Sequence, residues 1–519
     1  TNGKGASRLA ALASALGEFF ERLACQYFWA HYYLGESCGE RGFVHYPQER
    51  WFALTDSSDE WPSELLTPAL HRFYNPEGRL PPDALGDFNS GQGERGICAL
   101  PYVRQKDGVT VWFPVNIIGN LYVSNGMSAG NTRAEARAQS LSEIFERHIK
   151  FRILSEGICL PDVPASVIAR YPRLEAGVCA LRKAGFGVLV KDASLGGDYP
   201  VMNVTLLNPE DQGCFASFGA HPRFEIALER ALTELLQGRA LDALGGFPAP
   251  GFDLDEIASA PNLEMHFVDS SGIVGWDFLG EAPDFDFVDW NFSTTTEEDV
   301  AWLMDRIHRD GHDIYVADFD HLGVYACRIV VPGMSEIYPV DDLEWENNNV
   351  SCVIREAILS FPDLDPLECD VLLPTLNALD IPDDRLVAAL IGLAPDAGSV
   401  WEDLRVGELK LLLALVLDEE EAIREGCEWI DSFGQIKEDR RRLYRCIDTV
   451  LKLGSTEGHR EALEQLYGHD TAILAVALLR QKCTLPGLSA PGLELTGCDL
   501  HQRLLAAYEK IHRHLTLKG

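Results

Sequence analysis

TRAEARAQSLSEIFERHIKFR, residues 132–152, decides how this chain is read. At helical spacing Glu135, Gln139, Glu143, Glu146 and Arg147 fall along one face. Leu141, Ile144, Phe145 and Ile149 occupy the other, the pattern of a half-buried helix. Thr132 followed by Glu135 forms a capping box that marks the start. Carboxylates stacked on one stripe repel one another by roughly a few tenths of a kcal/mol per pair. A divalent cation would offset that repulsion, and so would plain solvent.

Two other stretches share this register. Ser14-Ala-Leu-Gly-Glu18-Phe-Phe-Glu21 aligns with Gln139-Ser-Leu-Ser-Glu143-Ile-Phe-Glu146, and Arg230-Ala-Leu-Thr-Glu234-Leu-Leu-Gln237 aligns with both. Each follows a turn rich in small residues: NGKGAS, NGMSAGNT and SFGAHP. A turn-plus-helix unit is therefore expected three times, with strands before at least the second and third copies. If the helices pack side by side, Ser14, Glu18 and Glu21 converge with Gln139, Glu143, Glu146, Arg230 and Glu234. Mg²⁺ takes oxygen ligands, usually carboxylates and phosphate oxygens, and this many glutamates suit more than one ion. Arg147 and Arg230 could hold phosphates bidentately, and the small-residue turns would let backbone N–H groups approach them. The bland alternative is a set of solvent-facing glutamates paired with Arg22 and Arg147. A merely solvated face has no reason to recur in register.

The bulk composition narrows the setting. The chain has 519 residues, 46% hydrophobic, enough for two to four domains. Lys and Arg total 44 against 80 Asp and Glu, a net charge of −36, which disfavours direct nucleic-acid or anionic-membrane binding. The 13 cysteines are scattered without a C-x-x-C, as expected of reduced thiols in the cytoplasm. No apolar run approaches 18 residues, and the N-terminal stretch is cut by charges.

The order of elements points to two domains, 1–345 and 346–519. In the first, helices are expected over 8–28, 132–152, 173–184, from Pro222 to about 241, and 296–309. Strands are expected over 97–103, 109–123, 187–191, 201–207, 214–218, 313–318 and 323–331, with a further one over 263–268. Residues 34–96 read as short elements and an insertion. From 347 onward strand patterns vanish, and amphipathic helices follow one another: 353–360, 384–393, 406–417, 420–432, 439–453, 459–467, 471–482 and 501–515. Such short-linked helices suggest stacked hairpins, though no clean 34-residue repeat is visible.

Three further motifs are weaker than they look. Gly91-Gln-Gly93-Glu-Arg-Gly96 matches G-x-G-x-x-G but leads into a strand instead of opening a helix, so the dinucleotide context is missing. Gly126-Met-Ser128-Ala-Gly130 matches the nucleophile elbow of a serine hydrolase, with Asp318 or Asp320 and His321 as potential partners. Against that reading, the Thr132 cap starts the helix four residues after Ser128, and the other two turns carry no matching serine between glycines. Asp318-Phe-Asp320-His321 resembles a metal cluster, but a hairpin turn explains it better.

At the three aligned helices the sequence resembles the YcaO family. The resemblance is carried by SALGEFFERL, NIIGNLYVSNGMSAGNTRAEA, QSLSEIFER, KDASLGGDYPV, CFASFGAHP, ALERALTELLQGR and CRIVVPGMSEIYP, spanning essentially 1–345. It implies an α/β fold of repeated strand–turn–helix units around an ATP and Mg²⁺ site without a Walker motif. A tetratricopeptide-like helical C-terminal domain would follow. By motif it makes Glu18, Glu21, Glu143, Glu146 and Glu234 metal-linked. Ser128, Asn131, Glu135, Arg147 and Arg230 would contact nucleotide, supported by Ser14 and Gln139; Ser128 then becomes a phosphate or ribose donor. The resemblance further implies ATP-driven phosphorylation of a peptide amide oxygen before attack by a nucleophile. The partner would be a peptide or protein, such as a ribosomal protein and its methylthiotransferase, and a homodimer is open. The alternative is a non-catalytic nucleotide-binding scaffold that recruits a partner through its C-terminal helices. Azoline-forming relatives end in Pro-x-Pro-x-Pro where this chain has HRHLTLKG, which points away from that route. Relatives also carry a segment upstream of the Gly3-Lys4-Gly5 turn, whose contribution is expected to be missing or supplied by another chain.

Overall fold

A computed structural model describes every residue except 1, 2, 4, 6, 41, 55–59, 88, 92–94, 237–243, 481, 482 and 519. The chain divides into two compact units. The first holds Thr1–Phe28, Gln48–Leu85 and Ile97–Glu346; the second holds Trp29–Pro47, Gly86–Gly96 and Asn347–Gly519.

The strands of the first unit are β1 (Arg50–Phe52), β2 (Ile97–Arg104), β3 (Thr110–Pro114), β4 (Met127–Gly130), β5 (Gly187–Asp192), β6 (Val201–Leu207), β7 (Cys214–Ala220), β8 (Tyr315–Phe319) and β9 (Tyr325–Val330). They form two antiparallel sheets, β1–β2–β8–β9–β4 with β3 paired to β2, and β5–β6–β7. The helices used below are α1 (Arg8–Ala24), α2 (Arg133–Ser155), α3 (Pro172–Lys183), α4 (Phe224–Glu234), α5 (Ala260–Val268) and α6 (Thr296–Arg309). α2 packs on β4 and β9 of one sheet and on β7 and β6 of the other. Its Leu141, Ile144, Phe145 and Ile149 are fully buried with Phe218 and Ile329, so the apolar face read from the sequence is the one that joins the sheets. α1 packs on β4 and β9, and α4 on β7 and β6.

Strand–turn–helix units are visible in β4–α2 and β7–α4. Each is tied by one serine across 14 residues. Ser140 Oγ donates to Gly126 O at 2.6 Å, and Ser217 Oγ donates to Ala231 O at 2.8 Å. A Cβ on Gly219 would sit 2.3 Å from Ala231 N, so glycine is what lets α4 lie flush on β7.

Several elements differ from the sequence expectations. Residues 115–122 are helical, as Val115–Ile117 and a π-turn over Ile118–Tyr122, where a strand was expected. Most of that run is buried, so it has no polar alternation to separate strand from helix. The strand expected over 263–268 is helix α5: Pro261 lies in its first turn and Lys150 Nζ donates to His266 O at 2.5 Å near its end. α1 stops at Ala24, and a 3₁₀ turn, Tyr27–Trp29, follows. α4 starts after Pro222, with Arg223 as its cap, and 237–243 of the expected longer helix lie outside the described residues.

The second unit is helical. Its longer helices are α7 (Cys352–Ser360), α8 (Pro366–Ala378), α9 (Val406–Leu417), α10 (Glu420–Phe433), α11 (Glu438–Leu453), α12 (Arg460–Tyr467), α13 (His469–Leu479) and α14 (Asp499–Lys518), and a short one, Val387–Ile391, falls within the expected 384–393. α8, absent from the sequence expectations, is started by Asp365 and Glu368 as a capping box and carries Pro374 inside. Tyr33 belongs to this unit's core: its N–H donates to Gly392 O at 2.8 Å, and its O lies 2.8 Å from His501 Nε2.

Candidate active site

α2 is the pillar of the site. Thr132 Oγ accepts from Glu135 N at 3.1 Å. The Glu135 carboxylate accepts from Asn131 N at 3.0 Å, one residue earlier than a strict capping box would place it. Upstream, Gly126 has φ +75°, and a Cβ there would lie 2.0 Å from Ile329 O, so this turn admits only glycine. Gly126 O accepts from Ile329 N at 2.7 Å and from Ser140 Oγ at 2.6 Å, which fixes the turn to both β9 and α2. Asn125 in that turn accepts from Arg147 Nη1 at 3.0 Å and donates to Ser335 O at 2.8 Å.

Toward α1, carboxylates and arginines crowd together. Arg147 Nη1 pairs with Glu143 at 2.9 Å, and its guanidinium lies 4.5 Å from the centre of the Phe267 ring on α5. Arg22 sits between Glu18 and Glu21 at 3.7 and 3.6 Å, loose for ion pairs, and stands 4.8 Å from the Tyr27 ring centre. Burial pushes the Glu21 carboxyl up to about 8; Arg22 and Arg147 pull it down, and Glu143 and Glu18 push it further up. These influences bring Glu18, Glu21, Glu143 and Arg147 into one electrostatic neighbourhood.

Toward α4, Arg230 Nη1 donates to Gln139 Oε1 at 2.7 Å, and Nη2 lies 3.5 Å from Glu146. Ala220 N donates to the same Glu146 carboxylate at 3.3 Å. Burial, then Arg230 and Arg223, push the His221 imidazole down to about 3. The ring is therefore neutral, and its Nδ1 accepts from Arg223 N at 3.0 Å. Glu234 lies one turn beyond Arg230 and is half-buried.

The structure thus brings Gln139 and Glu146 to Arg230, while Glu18 and Glu21 flank Arg22 and Glu21 lies within the electrostatic reach of Glu143 and Arg147. Asn131 and Glu135 meet at the α2 N-terminus, and Ser14 lies exposed on α1. Ser128 is inside β4 opposite Cys327, 1% exposed, with an Oγ that has no hydrogen-bond partner among the described residues. A hydrolase elbow is ruled out by that placement, because the serine is within a strand and not at the strand–helix turn. Asp318, its suggested acid, is held by Arg137 at 3.1 Å and by the Tyr325 hydroxyl. Residues 321–324 form the β8–β9 hairpin turn, the bland reading of that motif.

Sequence reasoning passed over Asn125, Tyr27 and Phe267 and treated Arg22 only as a charge partner. Arg22 had a signal, since it follows Glu21 as Arg147 follows Glu146. Phe267 had none, because it reaches the site only through packing.

The donor set fits a divalent cation and a polyphosphate. Crowded carboxylates with a raised Glu21 are what a cation relieves, and the orphaned Ser128 hydroxyl lacks an acceptor that a ligand oxygen would supply.

The family profile described as YcaO cyclodehydratase, ATP- and Mg²⁺-binding, matches residues 2–335, and that of the YcaO cyclodehydratase C-terminal domain matches residues 351–516. The ribosomal protein S12 methylthiotransferase accessory factor YcaO of Escherichia coli (strain K12) is 48% identical over 522 residues, covering 99% of this chain and 89% of its own length. An uncharacterized protein of Haemophilus influenzae (strain ATCC 51907 / DSM 11121 / KW20 / Rd) is 46% identical over 523 residues, with the same 99% and 89%. Among solved structures, YcaO from Methanopyrus kandleri bound with AMPPCP and Mg²⁺ gives a TM-score of 0.35 at 21% identity, covering 64% of this chain and 78% of that one. A heterocyclase in complex with substrate and cofactor gives 0.40 at 18% identity, covering 66% and 46%. ATP and Mg²⁺ are the ligands by which the matching domain family is described, as the sequence led us to expect.

Proposed function

The chain belongs to the YcaO family, and we propose that it hydrolyses ATP with Mg²⁺ to activate a backbone amide of a peptide or protein. The observation that carries this reading is the meeting of Arg230 on α4 with Gln139 and Glu146 on α2. In the proposed reaction the amide oxygen takes the γ-phosphoryl group, ADP leaves, and the amide carbon becomes open to a nucleophile.

Mg²⁺, when bound, would screen phosphate charge and orient the γ-phosphoryl group. Glu18, Glu21, Glu143, Glu146 and Glu234 would hold it. Arg147 and Arg230 would hold phosphates; both already lie in carboxylate-lined positions, so little reorganisation is needed. Ser128, Asn131 and Glu135 would contact nucleotide, with Ser14 and Gln139 in support.

Calorimetric titration of the intact chain with ATP and Mg²⁺ tests the reading. Binding lost in Glu143→Ala and Glu146→Ala supports it; absence of binding by the unaltered chain overturns it. A second reading, a nucleotide-binding accessory protein without catalysis, is favoured by the accessory-factor name of the Escherichia coli relative. Steady ATP turnover by the isolated chain would count against it. In either case the proposed partner is a protein, such as a ribosomal protein with its methylthiotransferase, and the proposed compartment is the cytoplasm. No described helix is long and apolar enough to cross a membrane, and the net charge of −36 disfavours nucleic acid.

A further inference from the structure

Residues from 73–80 and 340–345 of the first unit line a cavity of about 390 Å³. That is the small end of the range for ligand pockets, about 300–1,000 Å³. Its floor is apolar and closed, with Tyr74, Leu80 and Leu343 buried. Its rim is open: Trp345 is 69% exposed, and Asp341 and Glu344 are exposed beside it. Most polar groups of the lining are already spent. The Tyr74 hydroxyl meets that of Tyr122 at 2.5 Å, and Asn75 exchanges hydrogen bonds with the Leu80 backbone at 3.0 and 3.1 Å. Arg79 pairs with Glu77 at 2.5 Å.

The charge left over is negative. Asp341 stands at the cap of the short helix Asp342–Trp345, where an aspartate commonly bonds the first N–H groups, yet its carboxylate makes no such bond. Neither Asp341 nor Glu344 has an ion pair among the described residues. Asp342 between them is half-buried. Burial, then Asp341, Glu346 and Glu264, push its carboxyl up to about 6, and none of these influences lowers it. A cation at the rim would relieve that repulsion. The same segment is tied toward the nucleotide cluster through α5. Tyr338 Oη donates to Glu264 Oε1 on α5 at 2.7 Å, and Phe267, further along α5, supports Arg147 at 4.5 Å.

We propose that this cavity holds an arginine or lysine side chain of the peptide or protein whose amide is activated. The methylene stem would lie on Tyr74 and Leu343, and the cationic head at the Trp345 ring with Asp341 and Glu344. The identity of the occupant rests on the amide-activation reading above. An apolar floor under an acidic, aromatic rim matches a long side chain with a charged tip. A bare metal ion would leave the floor unused, and an apolar side chain would leave the carboxylates unpaired.

The test measures, by fluorescence anisotropy on the intact chain without nucleotide, binding of a labelled, end-blocked pentapeptide with one central arginine. Counterparts carry lysine, citrulline or glutamate at that position. The arginine and lysine peptides should bind at least about tenfold more tightly than the uncharged citrulline peptide, and the glutamate peptide least. Asp341→Asn with Glu344→Gln should remove most of that preference, and Trp345→Ala should weaken the arginine peptide about 3- to 10-fold. Glu457→Gln with Glu461→Gln, two exposed carboxylates of the helical unit, controls for the overall charge of −36 and should change nothing. Equal binding of arginine and citrulline peptides, or no binding of either, overturns the proposal. So does an equal loss in the control variant, since it means that overall charge alone attracts the peptide. If the Asp341/Glu344 variant melts early, Trp345→Ala decides, and unchanged arginine-peptide affinity there overturns the proposal. Failure of the ATP reading is seen separately, in the ATP titration of the unaltered chain.

Discussion

The molecule holds two clusters of arginine and glutamate that are opposites in kind. In the helical unit, Glu408 of α9 is fully buried and accepts from Arg440 Nη1 at 3.1 and 3.0 Å and from the Tyr444 hydroxyl at 2.7 Å, while Arg440 Nη2 lies 2.6 Å from Asp403. Its charges close to ion-pair distance, although Arg440 Nη2 and Asp403 Oδ1 make no hydrogen bond among the described residues and burial pushes the Glu408 carboxyl up. In the sheet-containing unit, Arg22 stands 3.7 Å from Glu18 and 3.6 Å from Glu21, and Glu146 stays 3.5 Å from Arg230. That cluster is loosely spaced, and burial pushes the Glu21 carboxyl up to about 8. Ionic composition alone therefore does not mark a site. Spacing separates the two clusters: 2.6 to 3.1 Å in one, 3.5 to 3.7 Å in the other.

Breaking the closed cluster should have the largest effect on stability. Arg440→Leu leaves Glu408 buried and unpaired and should cost about 3–5 kcal/mol in chemical denaturation, with ATP affinity unchanged. If Glu408→Leu together with Arg440→Leu costs as much as the single change, the closed cluster is not a self-contained pair. The open cluster should respond the other way. Glu143→Gln should weaken Mg²⁺-dependent ATP binding by about 30- to 1,000-fold, measured by calorimetry, and barely shift the melting temperature.

A smaller effect follows from pH. The folded Glu21 carboxyl, at about 8, lies above its ordinary 4.5, so between these values the folded chain keeps a proton that the unfolded chain has released. Metal-free stability should then fall as pH rises through that window, and Glu21→Gln should flatten the slope. Mg²⁺ binding near pH 7 should release protons, seen as a dependence of the apparent heat on buffer ionisation enthalpy; no dependence would mean that Glu21 is already ionised. Smallest is Ser128→Ala, which breaks no internal hydrogen bond. Its stability should stay within about 0.5 kcal/mol while ATP affinity drops about 2- to 10-fold.

Much of this was legible beforehand, for reasons specific to each element. α2 could be read because its cap, its apolar face and its polar stripe all agree. α6 begins and ends where amphipathic spacing and the Thr295–Glu298 capping box put it, and α9 matches the expected bounds. The run 115–122 and helix α5 could not, because local apolar sequence is compatible with either periodicity and tertiary partners chose. Arg328 Nη2 donates to Ile118 O at 3.3 Å and to Val123 O beside the π-turn, and Lys150 holds the end of α5; neither partner is near in sequence. The segment Trp29–Pro47 reads as mixed short structure, yet its Tyr33 is fastened to helices more than 350 residues away.

The sequence by itself determined the three polar stripes, their common register and the small-residue turns before them, since side-chain spacing on a helix is a local property. Only the tertiary structure decided which stripes meet. It set α1 on β4 and β9 and α4 on β7 and β6, and buried Ser128 in a strand. Charge satisfaction depends on distances between elements, and no run of residues along one chain contains those distances.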